Sequence, residues 1–471
     1  MNVIEYTGQV EAHEPQVTHS VTMPCGLENT LSVERDSGGG GGIKFEEIRF
    51  PSDWRLSPIA ESFDFTKKPR SLDLSKNGDE IPFFPMNQIP LGRIHVSEFT
   101  SKPLVELGSS TYVENGDLMV AKITPSFENG KQAIVDIETD FAYATTEVIP
   151  MHGRKGESDT LFLFFYLLHP EVRADLAGKM EGSTGRQRLS KTVLGDRLIP
   201  LPPLPEQKKI AHILSTVRRA IEAQERIIQT TTDLKKALMH KLFTEGLRNE
   251  PQKQTEIGLV PESWYVVELG DIAKVGNGST PKRANQAYWE GGTIPWLNST
   301  KIHDRFITQA DQFVTLKAVK ECYLPKVAPN GLLIAITGQG KTLGNSAITR
   351  IETCINQHLA YAQFYSAKIV PDFVLWFMQT RYDYLRSIAH GGGSTKGALT
   401  CSFLKTLPIP VPSTHEQKDI VTIFQTLEDK QGLASNKQSS LRSLFLTLLH
   451  ELMTGKTSVN EINLPMGGQS A

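Results

Sequence analysis

Cysteines and long apolar runs are scarce in this chain, and their scarcity narrows the classes of protein to which it can belong. Only four cysteines occur among 471 residues, and no two of them have C-x-x-C spacing. We therefore expect neither a disulfide framework nor a zinc site. No apolar run reaches the roughly 18 residues of a membrane span. The N-terminal MNVIEYTGQVEAHEP lacks the order of a signal peptide, so we expect a cytoplasmic protein.

A surplus of charge of one sign is also lacking. The chain has 50 Lys and Arg residues against 52 Asp and Glu residues, which gives a formal net charge of −2 at pH 7. This balance excludes a chain coated in basic residues, but it leaves room for local basic clusters that bind nucleic acid. The length suits two to four domains.

What the sequence does contain is an internal repeat. The proline-rich stretch IPLPPLPEQKKI at 199–210 recurs as IPVPSTHEQKDI at 409–420. Residues that repeat at the same spacing include Pro51 and Pro261, Trp54 and Trp264, His240 and His450, and Thr244 and Thr454. We therefore expect two similar globular parts, each built from short strands and helices. Residues 1–42 lie outside the repeat and end in five glycines, which is the composition of a flexible linker.

A long helix without interior proline is expected after each proline-rich stretch. The segments Ile210–Leu242 and Ile420–Leu452 keep a seven-residue register of mostly apolar positions, which is typical of a coiled coil. In the second copy, Thr414 and Gln417 have the spacing of a capping box. Because the first helix leads from one globular part to the other, the repeat predicts that the second helix returns, antiparallel to the first. The alternative is two ordinary amphipathic helices, each packed on its own domain.

Several motifs between about residues 45 and 457 resemble the DNA specificity subunits of type I restriction–modification systems. They are GDLMVAKITPSFENGKQAIV at 116–135, ATTEVIP at 144–150, GSTGRQRLSKTVLGDRLIPLPPLPEQKKIA at 182–211 and VGNGSTPKRANQAYWEGGTIPWLNSTKI at 275–302. The resemblance and the repeat together imply a mixed α/β fold. Two similar globular α/β target recognition domains would be separated by two long antiparallel coiled-coil helices, in a pseudo-two-fold internal repeat.

The expected domain boundaries follow from the same comparison of the two copies. They are a flexible N-terminal extension at 1–44, target recognition domain 1 at 45–202, a central conserved helix at 203–247, target recognition domain 2 at 255–412, a C-terminal conserved helix at 413–457 and a tail at 458–471.

The resemblance also implies a function. The chain would be a non-catalytic, sequence-specific DNA-binding subunit of a bacterial or archaeal type I complex that reads a bipartite site in double-stranded DNA. It would dock two methyltransferase subunits and two restriction subunits, with the helices acting as a ruler. No cofactor is expected in this chain, because S-adenosylmethionine, ATP and Mg would be bound by the partner subunits.

Candidate DNA contacts are amide, hydroxyl and basic side chains near predicted loops, because base edges are read by hydrogen bonds and phosphates are bound by Lys and Arg. In the first domain they are Lys67, Lys68, Arg70, Asn87, Gln88, Arg93, Lys122, Thr124, Ser126, Asn129 and Lys131. In the second domain they are Ser279, Thr280, Lys282, Arg283, Asn298, Ser299, Thr300, Lys301, Gln339, Lys341 and Thr342. Arg186, Arg188 and Lys396, which follow Gly-Ser-Thr, are candidates for phosphate contacts.

Other classes of function compete with this interpretation. The stretch AITGQGKT at 335–342 is close to a phosphate-binding loop, but Ala335 replaces its first glycine, which disfavours an ATPase. No N-P-P-Y or D-P-P-Y tetrapeptide occurs, which disfavours a methyltransferase fused to a recognition domain. A two-headed coiled-coil adaptor that binds proteins and no DNA stays open as the alternative.

Overall fold

The computed structural model describes residues 50–70, 80–183, 185–338, 340–391 and 397–459. These residues form two compact units. Unit 1 consists of the described residues up to Arg219 together with those from Ser443 onward, and unit 2 is the continuous stretch Ala220–Arg442. Each unit therefore combines one globular part with portions of two long helices.

Unit 1 is a mixed α/β unit. Its strands are β1 (Arg55–Pro58), β2 (Phe63–Phe65), β3 (Glu80–Phe84), β4 (His95–Val96), β5 (Thr100–Pro103), β6 (Thr111–Glu114), β7 (Leu118–Ala121), β8 (Gln132–Val135), β9 (Phe141–Ala144), β10 (Val148–Gly153), β11 (Glu181–Ser183), β12 (Arg186–Arg188) and β13 (Leu198–Leu201). Its short helices are α1 (Ile59–Ser62), α2 (Thr160–Leu168), α3 (Pro170–Gly178) and α4 (Lys191–Asp196), with a 3-10 turn at Leu104–Glu106. The first long helix, α5 (Leu204–Glu245), begins in this unit.

Unit 2 repeats this composition. Its strands are β14 (Gln252–Thr255), β15 (Gly258–Pro261), β16 (Tyr265–Glu268), β17 (Ala273–Asn277), β18 (Ile294–Leu297), β19 (Phe306–Ile307), β20 (Gln312–Val314), β21 (Leu332–Ala335), β22 (Ser346–Thr349), β23 (Cys354–Ile355), β24 (Leu359–Phe364) and β25 (Pro408–Val411). Its helices are α6 (Leu269–Ile272), α7 (Leu316–Glu321), α8 (Pro371–Thr380), α9 (Tyr382–Gly391) and α10 (Cys401–Lys405), with 3-10 turns at Gln286–Tyr288 and Ser299–His303. The second long helix, α11 (Thr414–Met453), begins here.

The internal repeat extends to the order of strands in the sheets. The five-stranded sheet of unit 1 has the order β2-β10-β7-β8-β4, and that of unit 2 has the order β17-β24-β21-β22-β19. In both sheets the last strand runs parallel to its neighbour and the other pairs are antiparallel. A smaller sheet accompanies each one, with the order β5-β3-β9-β6 in unit 1 and β20-β18-β23 in unit 2. The five-stranded sheets of the two globular parts therefore share one topology, as the sequence repeat predicts, whereas the smaller sheet has one strand fewer in unit 2.

A helix that is apolar on every side fills the core of each unit. In unit 1, α2 buries every residue from Phe162 to Leu168, and Phe165 contacts Phe445 of α11 with ring centroids 6.1 Å apart. In unit 2, α8 buries Phe373 to Met378, and Trp376 stacks on Phe424 at 4.5 Å. A helix without a polar face is stable only when it is covered on all sides. Here the sheet covers one side, and residues of the long helices pack on the other.

The long helices pair antiparallel within unit 2. Gln431 donates a hydrogen bond to Thr232 at 2.9 Å, and Gln438 donates one to Glu225 at 3.1 Å. As the position rises by seven in one helix it falls by seven in the other, so the pair is antiparallel and in heptad register. None of the predicted register positions from Ile210 to Leu242 or from Ile420 to Leu452 is exposed. The coiled-coil prediction is confirmed.

The repeated Glu-Gln-Lys element fastens each long helix to its globular part through the glutamine. In unit 1 the Gln207 carboxamide accepts a hydrogen bond from the Asp159 N–H (2.9 Å) and donates to the carbonyls of Glu157 (3.0 Å) and Pro202 (2.8 Å). These bonds hold the segment before α2 against the first turn of α5, where Gln207 lies. The side chain is fully buried, so these bonds replace water as the partner of each backbone group.

Unit 2 makes the same bonds with Gln417, and this corrects the capping-box prediction. The Gln417 carboxamide accepts from the Val370 N–H (2.8 Å) and donates to the carbonyls of Lys368 (3.1 Å) and Pro412 (2.9 Å). It does not reach back to Thr414, which is the first residue of α11. Ser413 caps the helix instead, because its hydroxyl accepts from the Glu416 N–H at 3.3 Å.

Each long helix ends on a glycine at positive φ that packs against the proline and tryptophan of the repeat. Gly455 (φ 67°) lies against Pro51 and Trp54 in unit 1, where an added Cβ would lie 2.4 Å from Pro51 Cδ. In unit 2, Gly246 (φ 65°) lies against the corresponding proline and tryptophan, with Pro261 Cγ 2.9 Å from such a Cβ. A left-handed glycine is the usual end of a helix. The second helix thus ends beside the start of the first globular part, as the repeat predicts.

Candidate nucleic-acid interface

Four segments of unit 1 meet at one edge of its sheets. The Thr145 N–H donates to the Phe84 carbonyl (2.9 Å), and the Lys122 N–H donates to the Glu147 carbonyl (2.9 Å). The Thr124 N–H donates to the Gln187 carbonyl (3.0 Å). These bonds join the end of β3, the β7–β8 loop, the β9–β10 turn and the β11–β12 hairpin. The edge carries many of the side chains that the sequence proposed as DNA contacts.

An ion pair holds the β11–β12 hairpin to the β9–β10 turn. Arg188 binds Glu147 through two hydrogen bonds, from Nε at 3.0 Å and from Nη2 at 2.7 Å. The hydrogen bond from Arg188 lowers the pKa of the Glu147 carboxyl, and the charge of Lys122 acts in the same direction. Both Arg186 and Arg188 are exposed, but the Arg188 guanidinium is already paired with a carboxylate of the unit.

The β7–β8 loop presents the remaining central candidates of unit 1. Thr124 donates to Glu128 at 2.7 Å, while Ser126 accepts the Lys131 N–H through its carbonyl at 2.9 Å. Asn129 is exposed. Burial lowers the pKa of the half-buried Lys131 ammonium. An ammonium in that position gains from an anionic partner that replaces the lost water, as a phosphate would.

The other candidates of unit 1 flank this loop. Gln88 exchanges hydrogen bonds with Thr100, at 3.2 and 3.4 Å, and the backbone of Leu91 bridges to Lys131, which brings the 85–93 loop beside it. Lys68 places its ammonium 5.4 Å from the Tyr143 ring centroid. The exposed candidates in these flanking segments are Lys67, Lys68, Arg70, Asn87 and Arg93.

The corresponding segments meet in unit 2. The Asn356 N–H donates to the Leu297 carbonyl (2.9 Å), the Ile336 N–H to the His358 carbonyl (3.0 Å) and the Leu399 N–H to the Ile336 carbonyl (2.8 Å). The first two match the bonds of Thr145 and Lys122 in unit 1, and the third matches a bond there from the Leu189 N–H to the Lys122 carbonyl (2.8 Å). The loop edge is therefore built in the same way twice, although its side chains differ.

A chain of polar side chains crosses the loop edge of unit 2. The Thr280 hydroxyl donates to Gln357, the Gln357 amide lies 3.2 Å from His358 Nε2, and His358 Nδ1 lies 2.5 Å from the Thr337 hydroxyl. All these contacts are at the surface. They offer several donors and acceptors on one small area, which is what direct readout of base edges requires.

Several candidates of unit 2 are committed to contacts within the unit. Asn298 caps the 3-10 turn at 299–303, where it accepts hydrogen bonds from the N–H of Thr300 (2.9 Å) and from the Thr300 hydroxyl. Ser299 is half-buried in that turn. Lys301 pairs with Asp304 at 2.7 Å and Asp311 at 3.4 Å, and hydrogen bonding to Asp304 raises its pKa. A lysine with two carboxylates has little charge left for a phosphate.

The loop after β21 is anchored on α9. The Tyr382 hydroxyl donates to the Lys341 carbonyl (2.9 Å), and Arg386 donates to the Gly340 carbonyl. Thr342 contacts His303 Nε2 at 3.2 Å, while the Lys341 side chain is exposed beside a cavity of about 360 Å³. The predicted contacts Gln339 and Lys396 lie outside the described residues.

Arg283 lies in an aromatic corner. Its guanidinium carbon is 3.8 Å from the Trp289 ring centroid and 5.0 Å from that of Trp296, and Nη2 donates to Gln312 at 2.6 Å. The two indoles are nearly perpendicular, with an interplanar angle of 87°. The neighbouring Ser279 is half-buried, and Lys282 and Arg283 are exposed.

Comparison with known proteins identifies the family. The family model described as type I restriction modification DNA specificity domain matches residues 51–231 and 261–442. The chain belongs to this family.

Individual relatives agree with the family assignment of this specificity subunit. A protein provisionally named the MjaX specificity subunit of a type I restriction enzyme, from Methanocaldococcus jannaschii, is 26% identical over 88% of this chain and 96% of its own length. The MjaIX specificity subunit of the same organism is 33% identical over 42% of this chain and 45% of its own. The crystal structure of a type I S subunit from M. genitalium has a TM-score of 0.53, at 17% identity over 86% of this chain and 96% of that one, and shows the same fold.

Family membership settles the class of activity. Specificity subunits are DNA-recognition subunits without catalytic activity, and the family implies no catalytic cofactor of the chain's own. Across the described ranges, no group of three or more His, Cys, Asp or Glu side chains could hold a metal ion. No helix in the described part of the specificity subunit is long and apolar enough to cross a membrane.

Sequence reasoning missed three residues at the loop edges of the specificity subunit. Glu147 in unit 1, and Gln357 and His358 in unit 2, lie in the turns between β9 and β10 and between β23 and β24. Each turn is a short polar break between two apolar stretches, in ATTEVIP and in CINQHLAYA. That pattern predicts a tight turn between strands, but only the sheet order places the turn beside the other loops.

Proposed function

We propose that the two units of this specificity subunit each read one half of a bipartite DNA site. The observation that carries the proposal is the duplicated loop edge: equivalent backbone bonds join equivalent loops in both units, while the exposed side chains differ. A duplicated scaffold with divergent loops suits two different half-sequences, because base readout depends on side chains at the edge.

The proposal assigns separate roles to the exposed groups. Lys131 and Arg186 in unit 1 and Lys282 and Lys341 in unit 2 would bind phosphates, since each is basic and lies in an edge loop or hairpin. The chain of polar side chains through Gln357 would face base edges in unit 2. Arg188, Asn298 and Lys301 were also candidates; because each has a partner within its unit, we assign them to positioning the loops instead.

The partners are proposed from the family. Relatives are named as specificity subunits of type I restriction enzymes. We infer that this chain docks two methyltransferase subunits and two restriction subunits, which would bind S-adenosylmethionine, ATP and Mg, in the cytoplasm of a bacterium or archaeon. The proposed reading domains are 45–202 and 255–412, the helices 203–247 and 413–457, with an extension at 1–44 and a tail at 458–471.

Sequencing of bound DNA tests the proposal. The full chain, assembled with its methyltransferase partners, is mixed with random duplexes, and the retained pool is sequenced. We expect a motif of two short conserved parts separated by an unconserved gap. Replacing residues 51–201 by the same region of another specificity subunit should change one part only. A pool without enrichment would favour the adaptor without DNA binding.

Single substitutions then test the phosphate contacts. Lys131→Ala and Lys341→Ala should weaken binding to all sequences alike and lower the slope of log affinity against log salt by about one, because each removes one phosphate contact. Lys155→Ala is the matched control, since Lys155 is exposed in the turn after β10, outside the edge segments described above. An equal effect of the control would contradict the assignment of the edge.

A further inference from the structure

We propose that Arg283 reads a guanine in the half-site of unit 2, and that Trp289 and Trp296 hold its guanidinium in the reading orientation. This inference rests on the proposed function, because it requires unit 2 to bind DNA through its loop edge. It goes further by naming one base, one residue and the aromatic corner that positions it.

The aromatic corner fixes the backbone that leads into Arg283. Trp296 is buried, and its indole N–H donates to the Ser279 carbonyl at 3.2 Å. The indole N–H of Trp289 donates to the Lys282 carbonyl at 3.2 Å. The segment that carries Arg283 is therefore tied to the same two rings that the guanidinium contacts. The Arg283 side chain should therefore lose little conformational entropy when it binds a ligand.

The guanidinium itself is oriented and still has donors to offer. The indole of Trp289 lies 3.8 Å below its central carbon, and one bond from Nη2 to Gln312 sets its rotation about the stack. A guanidinium carries five N–H donors in a planar fork. The bond to Gln312 uses one of these donors, so others can bind a ligand, and the residue is exposed.

A guanine matches this fork better than a phosphate does. The O6 and N7 atoms of guanine accept two N–H groups that lie in one plane, and arginine is the side chain most often used for that contact. A phosphate can also accept two N–H groups from this fork, but it can equally be bound by a lysine as a point charge, and the adjacent exposed Lys282 already supplies that charge. Stacking and a side-chain hydrogen bond therefore point to readout of a base edge.

Unit 1 offers a useful contrast at the corresponding place. Phe83 of β3 pairs with Thr100 as Trp296 of β18 pairs with Gln312. The cation over Phe83 is Lys102, at 4.7 Å from the ring centroid. An ammonium is a point charge without a planar fork, so Lys102 does not hold two donors in one fixed plane. Within the described residues, the corresponding corner of unit 1 is therefore not expected to read a guanine through Lys102.

Arg283→Lys tests the inference, because it keeps the charge and removes the fork. The bound-pool motif is determined for the assembled wild-type and variant proteins, and the half-site of unit 2 is assigned by exchanging residues 265–411. We expect the variant to lose preference at one guanine in that half by about tenfold or more, with the other half and the salt slope unchanged. Trp289→Leu, which leaves Arg283 in place without its stack, should weaken the same preference.

A change in the DNA provides the second test. Replacing that guanine by 7-deazaguanine removes N7, so wild-type affinity should fall, whereas the affinity of Arg283→Lys should not fall further. Lys282→Ala is the matched control and should weaken all sequences equally. Arg283→Gln is measured in the same way if the lysine variant does not fold.

The outcomes separate this inference from the proposed function. If the wild type selects a bipartite motif and Arg283→Lys leaves it unchanged, the inference is overturned and the proposed function stands. Equal weakening of every sequence, or a unit 2 half-site without guanine, overturns it as well. If the wild type selects no motif, the proposed function itself fails.

Discussion

Gln207→Met should destabilise unit 1 severely, because it removes the side-chain amide. Methionine is chosen because it keeps the unbranched shape of the side chain. The N–H of Asp159 and the carbonyls of Glu157 and Pro202 would lose the hydrogen bonds that the buried amide now supplies. A buried backbone group left without a partner costs about 1–3 kcal/mol. Three such losses give a fall in the free energy of unfolding of about 3–9 kcal/mol.

Gln417→Met in unit 2 should cost less. The amide of Gln417 bonds the Val370 N–H and the carbonyls of Lys368 and Pro412. The Lys368 carbonyl also accepts from the Thr414 hydroxyl at 3.0 Å, so it keeps a partner. Two losses remain, which gives about 2–6 kcal/mol by the same scale. Gln207→Met is thus expected to lower the free energy of unfolding more than Gln417→Met does.

Guanidinium unfolding of the full chain measures both losses, and hydrogen exchange shows where each acts. Amides of α2 should exchange faster in Gln207→Met, and amides of α8 faster in Gln417→Met. Gln229→Met is the control, since Gln229 is exposed and bonds only the Asp233 side chain among the contacts described, at 3.1 Å. It should change stability by less than about 0.5 kcal/mol. Losses below about 1 kcal/mol in both buried variants would refute the reasoning.

Three ionisable groups give further expectations, each measurable by denaturant unfolding across pH. Arg188 lowers the pKa of Glu147, so this pair stabilises the fold above the ordinary carboxyl pKa of 4.5. The stabilisation is lost as the pH falls through the lowered pKa. Glu147→Gln should remove that part of the acid dependence of stability. Burial lowers the pKa of His169 to about 4, so stability should fall by on the order of 2–3 kcal/mol between pH 6.5 and 4, and an unchanged slope in His169→Gln would contradict this. Glu428→Gln deprives the half-buried Arg305 of its carboxylate and should cost about 1–3 kcal/mol at pH 7, between the values for exposed and buried pairs.

The sequence predicts the parts of this fold that depend on periodicity. The heptad positions between Ile210 and Leu242 are buried or half-buried, because a seven-residue apolar period places them on one side of the helix, where a partner helix packs. The spacing between Trp54 and Trp264 predicts two equivalent units, and the sheets have the same strand order. Both features are local patterns repeated along the chain, so one sequence is enough to find them.

Contacts between distant residues were the part that the sequence could not supply. Gln417 has capping-box spacing from Thr414, but its side-chain oxygen accepts a hydrogen bond from the N–H of Val370, 47 residues away. The helix is capped by Ser413, one residue before Thr414. Glu147 and Arg188 lie 41 residues apart, and nothing in either segment indicates their pairing. Partners that are distant in sequence, such as these, decide which polar side chains are bound within the unit and which stay exposed for a ligand.

The division of the chain has a consequence for its synthesis. Unit 2 is one continuous stretch, from Ala220 to Arg442, whereas unit 1 includes residues from Ser443 onward, among them Phe445 against α2 and Gly455 against Pro51. A ribosome completes the first globular part long before it delivers these residues. The usual order, in which the N-terminal domain folds first, is therefore reversed. Unit 2 can reach its native packing during translation, and unit 1 must wait for the last turns of α11.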